Sequence, residues 1–536
     1  MKIGFVATRL AGTDGVSLET KKWAEMARRL GHEVYLCAGQ VEEAAPDATL
    51  IPELHFQHPE ARAVGEMVFG RRDAQADLKR RLDEGAASLE EHLRAWLGET
   101  GVEVLVVENA LAIPMHLALG LALTRLIRAT GIPSVGHHHD FYWERERFQV
   151  NCIPELLNEC FPPDLPSLRH VTINSLARRA LARFRGLEAD LVPNVFDYET
   201  PAPRIDDYNR DLPEAIGLAP GDLLFLQPTR IVPRKGIELA LELVHRLDDP
   251  RVRLAISHAA GDEGMDYYAG LQRLAVSLGL EIRHLAGLIE DRRTVRQGQK
   301  RYTLWDVYPH ADFVTYPSLY EGFGNALLEA VYFLKPLLVN RYEVYAADIA
   351  PLGFRFVEID GRITSSTLAE VRRLLDDGER WRDAAVHNYE LARRHFSYEV
   401  LARAWSGCWE MGRGDDRISE RQARDPGEGR AHRHPKAGGG QNSRPPGLSL
   451  RRRGGRPGLA APGCPAGWLS AAEPGAGLCA AWPSIPGPGG RHPHRLRRPV
   501  PRGGRSAPGD PVFRPGGDAA TPGLGAAPAA LFPLLV

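Results

Sequence analysis

Two carboxylates bracket the stretch Glu321-Gly322-Phe323-Gly324-Asn325-Ala326-Leu327-Leu328-Glu329. An apolar run ending Phe313-Val314-Thr315-Tyr316-Pro317 precedes it and reads as a strand; helical spacing follows from Ala326 to Val331. Glycines in such a turn let backbone approach a ligand closely, and the first turn of the new helix offers unpaired N–H groups to an anion. With two acceptor side chains beside those donors, the turn suits a molecule that is both phosphate and sugar. The plainer alternative is a strand–helix connection carrying two solvated glutamates.

A second cluster of chemical groups is His137-His138-His139-Asp140, at the end of an apolar strand. Strand alternation puts His137 and His139 on one face and His138 on the other. His-x-His is a plausible ligand pair, but no third ligand has recognisable spacing, so no metal is expected. Phe141-Tyr142-Trp143-Glu144-Arg145-Glu146-Arg147 follows, and suits either a sugar or phosphorylated acceptor or a packed, salt-bridged loop. Near the N-terminus, Gly12, Asp14, Gly15 and Val16 precede a helix whose start could accept an anionic group. Asp14 there would repel an anion and accept from sugar hydroxyls.

Strands alternating with helices must position these groups. Strands are expected at Ile3–Ala7, Glu33–Ala38, Val102–Val107, Ser134–His138 and Val171–Asn174, with helices at Ser17–Leu30, Ala74–Leu97, His116–Ala129 and Leu176–Phe184 between them. After a Pro- and Asp-rich run, a second series has strands at Leu223–Gln227, Val252–Ser257, Ile282–Leu285, Phe313–Tyr316 and Leu337–Val339. Its helices are expected at Gly236–Leu247, Tyr267–Leu278, Asn325–Phe333, Ser365–Leu375 and Trp381–His395, with a last amphipathic one at Tyr398–Met411. This is the pattern of α/β proteins with doubly wound parallel sheets, and such sheets bind ligands beyond the C-terminal ends of their strands.

At 536 residues the chain should hold two or three domains. Residues 421–536 hold 17 of the 67 Lys+Arg but only 5 of the 68 Asp+Glu, leaving a mildly acidic body of 50 against 63. No basic nucleic-acid face is implied for that body. The same segment holds 20 of the 41 prolines; its Pro/Gly/Arg-rich composition predicts a disordered tail over 413–536, whether a genuine linker-like tail or a frameshifted terminus. Six cysteines without a CxxC pair fit a reducing compartment. The N-terminus lacks a signal-like apolar run and Leu111–Leu126 falls short of a membrane span, so a cytoplasmic location is expected, with peripheral membrane contact left open.

The stretch Tyr316 to Gly324, with Leu328-Glu329-Ala330 and Lys335-Pro336, resembles the donor-site signature of family 4 glycosyltransferases. Three stretches resemble other family elements in order and spacing: Ala11–Val16 with Gly31-His32-Glu33-Val34, Val192–Asp197, and Thr229–Gly236. The resemblance covers about residues 1–412. It implies a GT-B fold, two Rossmann-like domains facing across a cleft: 1–198 on the acceptor side, a linker at 199–214, a nucleotide-sugar domain at 215–385, and helices at 386–412 packing back on the first domain. It implies a retaining hexosyltransferase using a UDP-, GDP- or ADP-sugar as co-substrate with no further cofactor, and a small polar or phosphorylated acceptor, or a glycan. Arg230 and Lys235 would hold the leaving diphosphate, since a guanidinium forks onto phosphate oxygens and an ammonium adds a point charge; Arg234 should face solvent. Glu329 would hold the ribose and Glu321 the donor sugar, with backbone from Gly322, Phe323, Gly324, Asn325, Ala326 and Leu327 on the diphosphate or sugar. Gly287 and Leu288 would pack on the base. His139 would stand near the donor, with His138 as runner-up. A nucleotide-sugar 2-epimerase of the same architecture, or a non-catalytic nucleotide-sugar-binding protein, are the alternatives.

Overall fold

A computed structural model describes residues 1–12, 14–42, 48–259 and 265–409. The tail expected from 413 onward lies outside the described residues.

Seven parallel strands form the first sheet: β1 (Lys2–Ala7), β2 (Glu33–Ala38), β3 (Ala48–Leu50), β4 (Val104–Glu108), β5 (Ser134–His138), β6 (Leu168–Thr172) and β7 (Ala189–Leu191), in the order β3-β2-β1-β4-β5-β6-β7. Every residue of β4 and β5 is buried. Helices cover both faces of a parallel sheet, which is why β4 reads as an apolar run up to Glu108. The second sheet holds β8 (Leu223–Gln227), β9 (Val252–Ile256) and β10 (Ile282–His284). A separate hairpin of β11 (Thr294–Arg296) and β12 (Gln299–Arg301) follows, and then β13 (Phe313–Tyr316), β14 (Leu337–Asn340) and β15 (Val357–Ile359) complete the sheet in the parallel order β10-β9-β8-β13-β14-β15.

In both sheets the strand order reverses beside the first strand of the series, between β1 and β4 and between β8 and β13. The crevice at such a switch point is where open α/β sheets bind ligands, and the loops after β1, β4, β8 and β13 carry most of the groups singled out above. The last helix, Tyr398–Trp409, returns to the first sheet. Its Tyr398, Leu401 and Trp405 are buried with Ile3, Phe5 and Trp23, and Trp405 meets Trp23 edge-on at 5.5 Å between ring centroids.

Two expectations are corrected here. The boundary at 385 falls inside one unbroken helix, Gly378–Phe396. Ala392 and Phe396 of that helix still pack in the core of the second sheet, so the chain crosses back only at Ser397, which bridges to Phe196. The strand expected at Val171–Asn174 runs instead over Leu168–Thr172, because Asn174 caps the next helix by accepting from the Ala177 N–H. Among the described residues no helix is long and apolar enough to cross a membrane.

Candidate active site

Lys235 is set by its neighbour. The chain leaves β8, makes a short turn over Pro233–Lys235, and passes through Gly236 at φ 57°. A Cβ on Gly236 would lie 2.5 Å from the Pro317 carbonyl oxygen, so only glycine lets this loop press against the end of β13. That approach buries Lys235 against Glu321, with which it forms an ion pair. Arg234 holds the second oxygen of the same carboxylate, Nη1 to Oε2 at 3.0 Å, and also donates to the Tyr320 carbonyl. Arg234, expected to face solvent, is therefore a partner of Glu321. Spacing could not reveal this, because the contact spans 87 positions.

Burial alone would raise the Glu321 carboxyl, but Lys235 and Arg234 together more than offset it and hold it below its ordinary value. At Lys235 burial prevails over Glu321, with Arg234 and Arg230 adding repulsion, and the ammonium is pushed down. The asymmetry is physical: one anion serves two cations, and a third stands nearby. That third cation, Arg230, is exposed and has no ion-pair partner among the described residues. His258, after β9, is a group the sequence reading missed. Burial, then Lys235 and Arg230, push it down to about 4. Thr229 is buried in a chain of side-chain bonds, accepting from Gln227, which in turn accepts from Thr315 at 2.7 Å.

The turn after Glu321 is built for donors. Gly324 sits at φ 135° and caps the helix Asn325–Tyr332; a Cβ there would lie 2.6 Å from the Tyr342 hydroxyl. That hydroxyl donates to the Phe323 carbonyl at 2.5 Å. Among the described residues, no acceptor meets the backbone N–H groups of Gly322, Phe323, Gly324, Asn325 or Ala326. Leu327 and Leu328 return theirs to the Gly324 carbonyl. Phe323 and Leu327 point their side chains into the core, so Phe323 can offer a ligand only backbone, and Leu327 keeps its own N–H within the turn. The Asn325 side chain accepts from Asn194 at 2.9 Å. Glu329, one turn further along, accepts from the Tyr308 hydroxyl at 3.0 Å, and burial raises its carboxyl to about 7. Gly287 is exposed with open space around it, and Leu288 is half-buried beside it.

Across from this turn stand groups of the first sheet. Asn174 donates to the Gly322 carbonyl at 2.8 Å, and a Cβ on Gly322 would lie 3.4 Å from the His139 carbonyl oxygen. Of the three histidines it is therefore His139 that meets the donor turn. His138 faces the other side of the sheet, paired with His170 at 3.0 Å. His137 and His139 share one face, their rings 4.6 Å apart. A buried carboxylate joins them: Glu108 Oε2 is 2.9 Å from His137 Nδ1 and 3.6 Å from His139 Nε2. Sequence spacing missed Glu108 because it comes from the neighbouring strand, where Glu108 pairs in register with His137; the structure sets a carboxylate beside the two histidines that spacing along the chain could not show. The Phe141–Arg147 loop is a packed one. Trp143 stacks on buried Phe141, Arg145 pairs with Asp140, and Glu144 accepts from Tyr320 of the second sheet at 3.1 Å.

Asp14 also differs from expectation. Its Oδ1 accepts from the N–H groups of Val16 and Ser17, and its Oδ2 pairs with Arg9 at 3.0 Å. The carboxylate expected to accept from sugar hydroxyls thus caps its own helix start, as an N-cap aspartate does. Gly12 and Gly15 keep open space beside them.

The profile of the group 1 glycosyl transferases matches residues 209–385. Mannosylglucosylglycerate synthase of Thermotoga maritima is 35% identical over 435 residues, spanning 75% of this chain and 98% of the relative. The protein of the same name from Petrotoga mobilis is 33% identical over 386 residues, 68% and 87% of the two chains. The chain is a group 1 glycosyltransferase. The fold of this glycosyltransferase is also that of sucrose-phosphate synthase from Thermosynechococcus elongatus, with TM-score 0.55 at 14% identity over 76% of this chain and 98% of that one. Anabaena HepE, solved in complex with UDP and glucose, gives TM-score 0.52 at 15% identity with the same coverage. Both likenesses bear on the GT-B architecture alone.

Proposed function

We propose that this glycosyltransferase moves a mannosyl group from a nucleoside diphosphate sugar onto a hydroxyl of a small glycoside that carries a carboxylate, such as a glucosylglycerate, with retention at the anomeric carbon. One observation carries the donor side: among the described residues, consecutive backbone N–H groups from Gly322 to Ala326 have no acceptor, next to the Lys235–Glu321 pair and near Arg230, which has no ion-pair partner there. Such a cradle suits a diphosphate, and preorganised donors stabilise the charge that develops on a leaving oxygen. The names of the two relatives, one of them aligned over nearly its whole length, support the choice of sugar and acceptor.

Each group has a role in this reading. Glu329 takes the ribose hydroxyls, Glu321 a hydroxyl of the donor sugar, and Leu288 lies under the base. Arg230 and Lys235 hold the diphosphate; His139 stands on the acceptor side of the sugar. Arg9, which follows β1, pairs with Asp14 and has its Nε buried without a partner among the described residues; it receives the acceptor carboxylate. Glu321 is tied to two cations and Glu329 to Tyr308, which leaves neither placed as a covalent nucleophile. The acceptor oxygen therefore attacks from the face the leaving group departs: the anomeric carbon–oxygen bond to phosphate breaks, the new glycosidic bond forms, and the acceptor proton passes to the leaving phosphate oxygen. Incubating the enzyme with UDP-, GDP- and ADP-sugars, with and without glucosylglycerate, tests this. The expected product is a disaccharide glycerate with the donor's anomeric configuration. An inverted product, or turnover only with neutral acceptors, would overturn it.

A further inference from the structure

We propose that Glu108, His137 and His139 form a binding site for one divalent first-row transition-metal ion. The three come from the C-terminal ends of two adjacent parallel strands, β4 and β5, a rigid base for ligands. Glu108, His137 and His139 are all buried, and one ligand atom from each lies within 4.8 Å of the others. The Glu108 Oε2 distances of 2.9 Å to His137 Nδ1 and 3.6 Å to His139 Nε2 straddle the ligand–ligand edge of about 3.3 Å expected for four-coordinate N and O ligands at usual bond lengths.

A second observation points to a ligand. Glu108 Oε1 and His139 Nε2 are each buried with no hydrogen-bond partner among the described residues. Whether His139 Nε2 carries a proton or a lone pair, it is stranded in a site where buried polar groups are normally satisfied. An ion bound through Glu108 Oε2, His137 Nδ1 and His139 Nε2 would occupy that nitrogen and balance the buried carboxylate. Trp23 stacks on the His137 ring at 4.2 Å and holds it in place. Two imidazoles and one carboxylate suit zinc, cobalt, iron(II) or manganese better than calcium or magnesium. Since the His139 carbonyl abuts Gly322, the ion would fix the first sheet's side of the cleft opposite the donor turn. The inference stands on the ligand set and does not depend on the donor or acceptor proposed above.

Cobalt binding tests it. The full chain without an affinity tag is stripped with a chelator, dialysed, and titrated with Co²⁺ alone. One cobalt per chain, with a visible d–d band, is expected. His137→Asn and Glu108→Gln should each weaken the affinity by about a hundredfold or more, since losing even an outer-shell partner of a metal ligand costs 10–100-fold. The terminal segment also holds His432, His434, His492 and His494, so a variant with those four changed to Ala should keep the band. A wild-type chain that stays colourless at saturating cobalt overturns the proposal, whatever the variants do. So does a band that survives His137→Asn in folded protein, or one that disappears with the four terminal histidines.

Discussion

Lys235→Met separates what the buried ion pair does for stability from what it does for transfer. Lys235 is 8% exposed and Glu321 7%. Removing one member of a buried pair costs about 3–5 kcal/mol, because the other charge is left in a poor solvent. Here Arg234 still reaches Glu321 at 3.0 Å from a side chain that is 40% exposed, which places the expected loss at the low end, about 3 kcal/mol. Changing Glu321→Gln in the same chain removes the stranded charge and should recover most of that loss. Transfer should behave differently. Losing one preorganised donor to a developing oxyanion costs about 10²–10³ in kcat, and Glu321→Gln returns no cation to the diphosphate. Urea unfolding midpoints and initial rates at saturating nucleotide sugar measure the two effects on the same proteins. The double variant is expected to be nearly as stable as wild type and at least as slow as Lys235→Met. Wild-type stability in the single variant would show that the pair is not a stabilising one, and a restored rate in the double variant that Lys235 is not needed for transfer.

Glu329, raised to about 7 by burial, should make donor binding depend on pH. Ribose hydroxyls need the ionised carboxylate, so donor KM should fall as pH rises through 7 and change about tenfold per unit below it, a dependence that Glu329→Gln removes. The same shift works against the free protein. A carboxyl raised on folding contributes stability below its unfolded value of 4.5 and loses that contribution as pH rises through 7, so Glu329→Gln should melt higher than wild type at pH 8. Gly324→Ala forces a side chain into φ 135° and 2.6 Å from the Tyr342 hydroxyl; about 1–3 kcal/mol of stability and most of the activity should go, as thermal melts and rates would report. Arg9→Ala should raise KM for a carboxylate acceptor at least tenfold while leaving donor KM unchanged. Removing residues 413–536 should leave kcat and the melting transition intact.

The strands that carry the site were legible to the residue. β8 and β13 are mostly apolar runs buried almost throughout, and burial is what an apolar run encodes, while β2 and β5 keep an apolar or small residue at most positions. The three-residue strands β3, β7 and β15 were missed, as were the hairpin β11–β12 and the helix Pro59–Val68. Three residues are too few for a period, and the hairpin's Gln299-Lys300-Arg301 has no apolar face. At the candidate site, the residues that the structure brings together around the Gly322–Ala326 turn could be picked out because glycines, cations and acids cluster along the chain. The missed groups are those that sequence separates. Glu108 reaches His137 only through strand register, His258 enters from β9, and Arg234 turns to Glu321 because Gly236 lets two loops close up. Asp14 was read as a ligand residue, but its own helix takes the carboxylate first.

The central claim, that the Gly322–Ala326 turn with Arg230 and Lys235 holds a diphosphate, is tested most directly by calorimetric titration with UDP, GDP and ADP. One of them is expected to bind at one site per chain, and Arg230→Ala and Lys235→Ala should each weaken it at least tenfold while the parent nucleoside binds as before. No binding by any of the three, or equal affinity in wild type and both variants, would contradict it.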